Sequence, residues 1–406
     1  MSGYKHLLSL VLALMALTGA YAQELTSIAG TVYDKSNGKK LAAVTVTTEN
    51  GSATTVTNEE GDFLIKVPAD TRKLVFSSLG YKKMPLPITS KKKMKVRLIP
   101  DAIALSEIVV ESPENILWTA IRKIPTNYPR QNEQLRTFYR ETTQKGRRFI
   151  YVAEAIENVY KTPYAKGVEK DKAEIVKGRR LVGTRKTDTL GAKMQGGPTI
   201  PVFMDVAKNR DFILSEEEMP LYKYALEMPQ EIAGRTQIVI SFRPAAIIDR
   251  PLFYGKYFID RQTLAFTRAE LQLDMSDKKK ATNFLLVSKP TGVRFKPYEY
   301  NIVVNYQQTD TVMRMNYLRT TMRFKCDWKR RLFSSPYTVD AEMVVTANSP
   351  AMGNFRKSVH GFSQHDSYYD HVEYFLDPAF WENYNIIAPT ERLNKAVDKL
   401  LKKHKK

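Results

Sequence analysis

The chain has 406 residues, 43% of them hydrophobic, and carries a formal charge of +20 from 63 Lys and Arg against 43 Asp and Glu. That length allows two or three domains with ordinary cores, and a lone cysteine, Cys326, excludes an intrachain disulfide. Past the N-terminus no run of about eighteen apolar residues occurs, so no transmembrane helix is expected.

The first residues read as an export signal. Lys5 and His6 precede an apolar stretch from Leu7 to Leu17, and Ala20-Tyr21-Ala22 supplies the small-x-small cleavage pattern. Residues 1–22 are therefore expected to be removed, with Gln23 as the new N-terminus. The apolar stretch is too short to span about 30 Å of hydrocarbon. No cysteine lies nearby to carry an acyl anchor. Export removes nucleic acid from the candidate partners of so basic a chain. It leaves an envelope protein or an anionic envelope surface of lipid headgroups, phosphates or acidic glycans. The expected location is the periplasm or the periphery of an outer membrane, and oligomeric state is left open.

Residues 24–100 read as short strands about ten residues apart, the spacing of a β-sandwich. Alternation places Val44, Val46, Phe63, Ile65 and Val67 toward one interior. Turn chemistry separates the strands at Ser36-Asn37-Gly38, Glu49-Asn50-Gly51 and Asn58-Glu59-Glu60-Gly61. Gly61 and Gly80 suit bends that a side chain would oppose.

Residues 101–113 form a linker holding Leu105, Ile108, Val109 and Val110, an apolar segment able to add as a strand to another sheet. Ser112-Pro113-Glu114 then starts a helix, with Ser as N-cap, Pro at the first position and Pro125 as its expected end. From about Gln134 the pattern is of long antiparallel strands: Phe149–Tyr160, Gln237–Phe242, Phe253–Asp260, Ala265–Leu273, Tyr298–Gln307 and Val312–Lys325. Such strands suggest a curved, half-barrel-like sheet over residues 114–406, with 160–235 the least legible part. A second helix begins at Thr390, with Leu393, Ala396, Val397, Leu400 and Leu401 as its apolar stripe.

Four motifs in order carry a resemblance. They are Gly30-Thr31-Val32-Tyr33-Asp34, Leu41-Ala42-Ala43-Val44-Thr45-Val46, Thr57-Asn58-Glu59-Glu60-Gly61-Asp62-Phe63 and Phe76-Ser77-Ser78-Leu79-Gly80-Tyr81. Together they resemble the carboxypeptidase-regulatory-like domain, a transthyretin-like sandwich found in envelope proteins of Gram-negative anaerobes. The resemblance implies that fold, and a strand-addition role for the linker as in the transporters that share the domain. Asn58 stands where the family more often has Asp. The later region is similar to an uncharacterised β region paired with this domain, and around Gly255-Lys256-Tyr257-Phe258-Ile259-Asp260 to the half-barrel of lipoprotein carriers.

Catalytic motifs are missing. No His-x-x-Glu, Gly-x-Ser-x-Gly, P-loop or Gly-x-Gly-x-x-Gly occurs, so neither an enzyme nor a cofactor is expected. His360, His365 and His371 are metal-ligand types close in sequence, without a recognised ligand spacing. Tyr374, Phe380, Trp381 and Tyr384 are the candidate aromatics, able either to plug the sheet or to line a groove. Three readings stay open: a non-enzymatic binding or assembly module, a carrier of an apolar ligand in the sheet concavity, and a hydrolase with an unrecognised site.

Overall fold

A computed structural model describes residues 25–88, 93–101, 111–183, 197–286, 293–328, 334–351, 362, 368, 381 and 384–404. The first unit holds seven strands: β1 (Leu25–Asp34), β2 (Thr45–Thr48), β3 (Thr54–Val56), β4 (Asp62–Pro68), β5 (Lys73–Ser77), β6 (Met84–Pro87) and β7 (Met94–Leu98). They form two sheets, β4-β1-β7 and β3-β2-β5-β6. Val44, Val46, Phe63, Ile65 and Val67 all lie in the core between them, with Phe63 edge-on to Phe76 at 5.5 Å. Gly61 has φ +71°, and a Cβ there would meet the Val32 carbonyl at 2.8 Å. Asn58 builds the turn before it by accepting from the Glu60 and Asp62 amides, each at 2.9 Å, so Asn serves where Asp is more usual.

Helix α1 (Pro113–Arg122) starts as expected, the Ser112 hydroxyl accepting from the Asn115 amide. It ends earlier than Pro125. The helix closes at Arg122, and Pro125 sits inside a separate short turn, Ile124–Asn127. Proline restricts the residue before it, and a fixed φ suits the first turn of a new helical segment.

The rest is one large antiparallel sheet of β8 (Glu133–Lys145), β9 (Arg148–Lys161), β10 (Lys172–Val182), β11 (Tyr222–Leu226), β12 (Gln230–Ile232), β13 (Arg235–Pro244), β14 (Phe253–Asp260), β15 (Phe266–Leu273), β16 (Val293–Thr309), β17 (Val312–Trp328) and β18 (Ser335–Pro350). Its order is β10-β9-β8-β18-β17-β16-β15-β14-β13-β11, with β12 also on β13. The expected half-barrel is thereby corrected. The sheet is open, neither closed nor strongly curled, and no pairing joins β10 to β11. Closure requires the two edges to hydrogen-bond. Here the long strands are central and the strands at one edge are short, and the apolar face is covered by the chain's own helices and loops, so no apolar surface drives the sheet to wrap onto itself.

Alternation divides the two faces. Leu135, Tyr139, Tyr151, Ala155, Ile240, Tyr257, Leu271 and Ile302 point to one of them. This apolar face is packed by Ile116, Leu117 and Ile121 of α1, and by Tyr128, Val202, Val206, Leu214 and Met219. The opposite face receives the sandwich and a C-terminal strap, residues 384–390. Helix α2 (Lys278–Leu285) is capped by Asp277, whose carboxylate accepts from the Lys279 and Lys280 amides. Helix α3 (Glu391–His404) is capped by the Thr390 hydroxyl and buries Leu393 and Leu400 against Val152 and Leu181. Cys326 lies buried in β17, and burial pushes its thiol up to about 11. No helix among the described residues is long and apolar enough to cross a membrane.

Candidate binding face

The strap ties the sandwich to the large sheet. Thr55 donates to the Ile386 carbonyl at 2.9 Å, and Asn58 Nδ2 donates to Ala388 at 3.0 Å. The Asn385 amide grips the Lys66 backbone in both directions, at 2.6 and 3.0 Å. From the sheet, Arg140 Nη2 donates to Ile387 at 2.8 Å. Direct contacts add Asn316 to Thr45 and Arg319 to Glu59. At the far side the Gly80 amide donates to the Glu231 carbonyl.

Under the strap lies a buried ion network. Glu154 accepts from Arg140 at 2.7 Å and from Arg179 at 2.6 Å, while Glu342 stands 3.4 Å from Arg140. Burial alone would raise the Glu154 carboxyl, but the two guanidiniums hold it below the usual range. Trp381 closes this region. It packs edge-on against Phe138 at 5.6 Å and beneath the Arg179 guanidinium at 5.4 Å, in a cluster with Val56, Ile156, Tyr317, Val344, Ile386, Ile387 and the partly buried Tyr384.

The apolar face hides a second polar core. Asp205, wholly buried, accepts from Lys161 at 2.5 Å, Tyr164 at 2.7 Å and Tyr306 at 2.9 Å. Lys208 donates to Thr162 and Asp171, and burial, with Lys161 nearby, pushes its ammonium down to about 8. On β8 and β9, Glu141 and Glu157 are buried, with one hydroxyl partner each, Tyr139 and Thr137. Burial pushes Glu141 up to about 7 and Glu157 well above its ordinary value.

Two larger hollows lie on the sandwich-facing side of the described residues. One, of about 550 Å³, is a polar cleft between the sandwich and the sheet, lined by Thr45, Thr47, Ser77, Gln237, Asn305 and Asn316. The other, of about 930 Å³, is an open groove over β11 and β13–β16, beyond the sandwich. Strand register spells its floor as two rows. Lys223 pairs with Arg243, which is level with Tyr254, and Tyr254 pairs with Gln272 and Gln272 with Asn301. Beside that row run Ala225, Ser241, Lys256, Glu270 and Val303.

Of the residues singled out from sequence, Trp381 and Tyr384 fall at the strap. Leu105, Ile108, Val109, Val110, His360, His365, His371, Tyr374 and Phe380 lie outside the described residues, as does the signal segment 1–22. Among the described residues no group of three His, Cys, Asp or Glu is placed to hold a metal. Sequence reasoning missed the groove residues. Alternation along β13 and β14 would have put Arg243 and Lys256 on one face, but only the pairing register brings Lys223 beside Arg243.

Comparison with known proteins bears on the first unit. Residues 28–110 match the CarboxypepD_reg-like domain. This segment is a carboxypeptidase-regulatory-like domain. No curated protein matches the chain. Among solved structures, the chain is similar to a DUF1329 family protein from Desulfovibrio piger at 12% identity, over 59% of this chain and 93% of that one, with TM-score 0.25. It is also similar to MucB in complex with MucA(peri), at 12% identity over 59% and 99%, with TM-score 0.18. A third likeness is to a Bacteroides fragilis protein of unknown function described as membrane-associated, at 12% identity over 79% and 97%, with TM-score 0.16. At such scores the likenesses carry no argument about fold or function.

Proposed function

We propose that the chain is a non-enzymatic exported protein acting as a binding or assembly module at the periplasmic side of an outer membrane, its regulatory-like domain and its β-sheet region working as one body. The observation that carries this reading is the division of labour between the two sheet faces. The apolar face is filled by the chain's own side chains, with Tyr128, Tyr139, Tyr151, Tyr164 and Tyr257 essentially inaccessible. Both large hollows among the described residues lie on the other face; the cleft beside the sandwich is mainly polar, and the open groove is lined in part by Lys223, Arg243, Lys256 and Glu270. A carrier of acyl chains needs the reverse, an open apolar cavity. The cross-links from Thr55, Asn58 and Lys66 to the strap support a fixed geometry between the two units.

Export is tested on protein recovered from the envelope, whose N-terminus is expected at Gln23; an intact Met1 would overturn it. The binding role is tested by placing a photocrosslinking residue in cells at Ser241 or Gln272, and at Lys399 on α3 as the control. Adducts to an envelope component are expected from the groove positions alone. Equal yields from all three positions would count against a binding face.

A further inference from the structure

The groove over β11 and β13–β16 has unused binding capacity of one chemical kind. Lys223 and Arg243 face each other directly across the β11–β13 ladder. Like charges so placed destabilise a strand pair, yet neither side chain has an ion-pair or hydrogen-bond partner among the described residues. The rest of their row, Tyr254, Gln272 and Asn301, contains no carboxylate to neutralise them. The nearby acids are engaged: Glu270 with Arg268 at 2.7 Å, Glu227 with Lys256 at 3.6 Å, and Asp274 with the Ser276 amide.

Further along the row the Gln272 amide and the Tyr254 hydroxyl make no hydrogen bond within the described protein, and Asn301 Oδ1 is buried without a donor. Tyr254 exposes its ring, at 38% of its surface. The floor is low because Ala225 and Ser241 are small. At Gly255 a Cβ would come within 1.8 Å of the Glu270 carbonyl oxygen, so strands β14 and β15 approach there as only glycine allows.

We propose that this groove binds an anionic oligosaccharide, a chain of sugar rings bearing carboxylate or phosphate groups. The inference rests on the binding-module reading and names the ligand class for it. The two cations meet the anionic substituents. The free amide of Gln272 meets ring hydroxyls, since it both donates and accepts, and the exposed Tyr254 ring offers an apolar face to a sugar ring. The row crosses five strands, hence four spacings or about 19 Å, a length suited to several linked sugars. An acidic peptide fits less well. The groove runs across the strands, where backbone amides are already paired in the ladders, so a peptide could not add as a strand there. A membrane surface could not reach a recessed floor.

The test is calorimetric titration of the mature chain with tetragalacturonate, with maltotetraose as the neutral counterpart and tetraglutamate as the acidic peptide. Tetragalacturonate is expected to bind saturably and to weaken as salt is raised from about 50 to 300 mM. Both other probes are expected to bind at least about tenfold more weakly. The double variant Lys223→Gln/Arg243→Gln and the single Tyr254→Ala should each lose at least about tenfold, with the melting temperature of the double variant no lower than wild type, because both residues are exposed and their removal relieves the facing charges. The control Lys399→Gln/Lys402→Gln should bind as wild type. Equal or tighter binding of tetraglutamate would assign the groove to an acidic peptide and overturn the proposal, as would groove variants that bind like wild type, or no saturable binding of tetragalacturonate. A lipid found in the apolar core would sink the binding-module reading instead, and would leave this titration to stand or fall by itself.

Discussion

Replacing Trp381 with alanine should loosen the joint between the regulatory-like domain and the large sheet. The indole is only 9% exposed, edge-on to Phe138 and under the Arg179 guanidinium. A ring of this kind buries about 150–250 Å², which at about 25 cal/mol per Å² corresponds to about 4–6 kcal/mol of transfer free energy. Partial collapse of the site recovers part of it, so a loss of about 3–5 kcal/mol is expected. The strap sits in the same cluster through Ile386 and Ile387, so its bonds to Thr55, Asn58 and Arg140 should weaken with it. Differential scanning calorimetry of Trp381→Ala, beside Trp381→Phe, reads this out. The alanine variant should melt at least about 5 °C lower, and the phenylalanine variant should lie between it and wild type. A melting temperature unchanged within error would show that the ring fills no space that matters, and would refute the reasoning.

Asp205→Asn should destabilise the sheet region by about 3–5 kcal/mol in chemical denaturation, because it leaves the Lys161 ammonium buried opposite a neutral amide, and the double change Lys161→Met/Asp205→Leu should recover only part of that loss, because the Tyr164 and Tyr306 hydroxyls lose their acceptor. Glu141→Gln should flatten the pH dependence of stability. The folded carboxyl titrates at about 7, above its unfolded value, so its stabilising protonated form is fully present below about pH 4.5 and is lost as pH rises to about 7, a change of about 3 kcal/mol. Glu157, raised further, extends the decline to higher pH, so melts at pH 5 and pH 8 should differ less in the variant than in wild type. A steeper difference in Glu141→Gln would contradict this assignment.

Much of the first unit was legible in the sequence because its signals are local. Alternation placed Val44, Val46, Phe63, Ile65 and Val67 in the core, and Gly61 and Asn58 marked a turn whose backbone only a few residues can adopt. The helix caps at Ser112 and Thr390 were equally local. The outline of the strands from Phe149 to Lys325 also showed, since each carries its own alternation. The long-range features did not. The adjacency of β8 and β18, which joins two meanders into one open sheet, depends on pairing across nearly two hundred residues of chain, and no periodicity encodes it. The half-barrel expectation failed for that reason: strand length is a local property, whereas closure depends on which edges meet. The groove was hidden likewise. Lys223 and Arg243 are ordinary surface cations in sequence, and only the register of β11 on β13 makes them a pair. Glu141, Glu157 and Asp205 are buried acidic residues that hydropathy would have placed in solvent.

The central claim is that the apolar face of the sheet is filled by the protein's own side chains and that binding occurs on the polar face. Native mass spectrometry of the protein purified from its own envelope under mild conditions tests it most directly. The account predicts a mass equal to that of the bare chain beginning at Gln23, with no lipid released by solvent extraction. A stoichiometric lipid adduct that survives purification and disappears on extraction would contradict it.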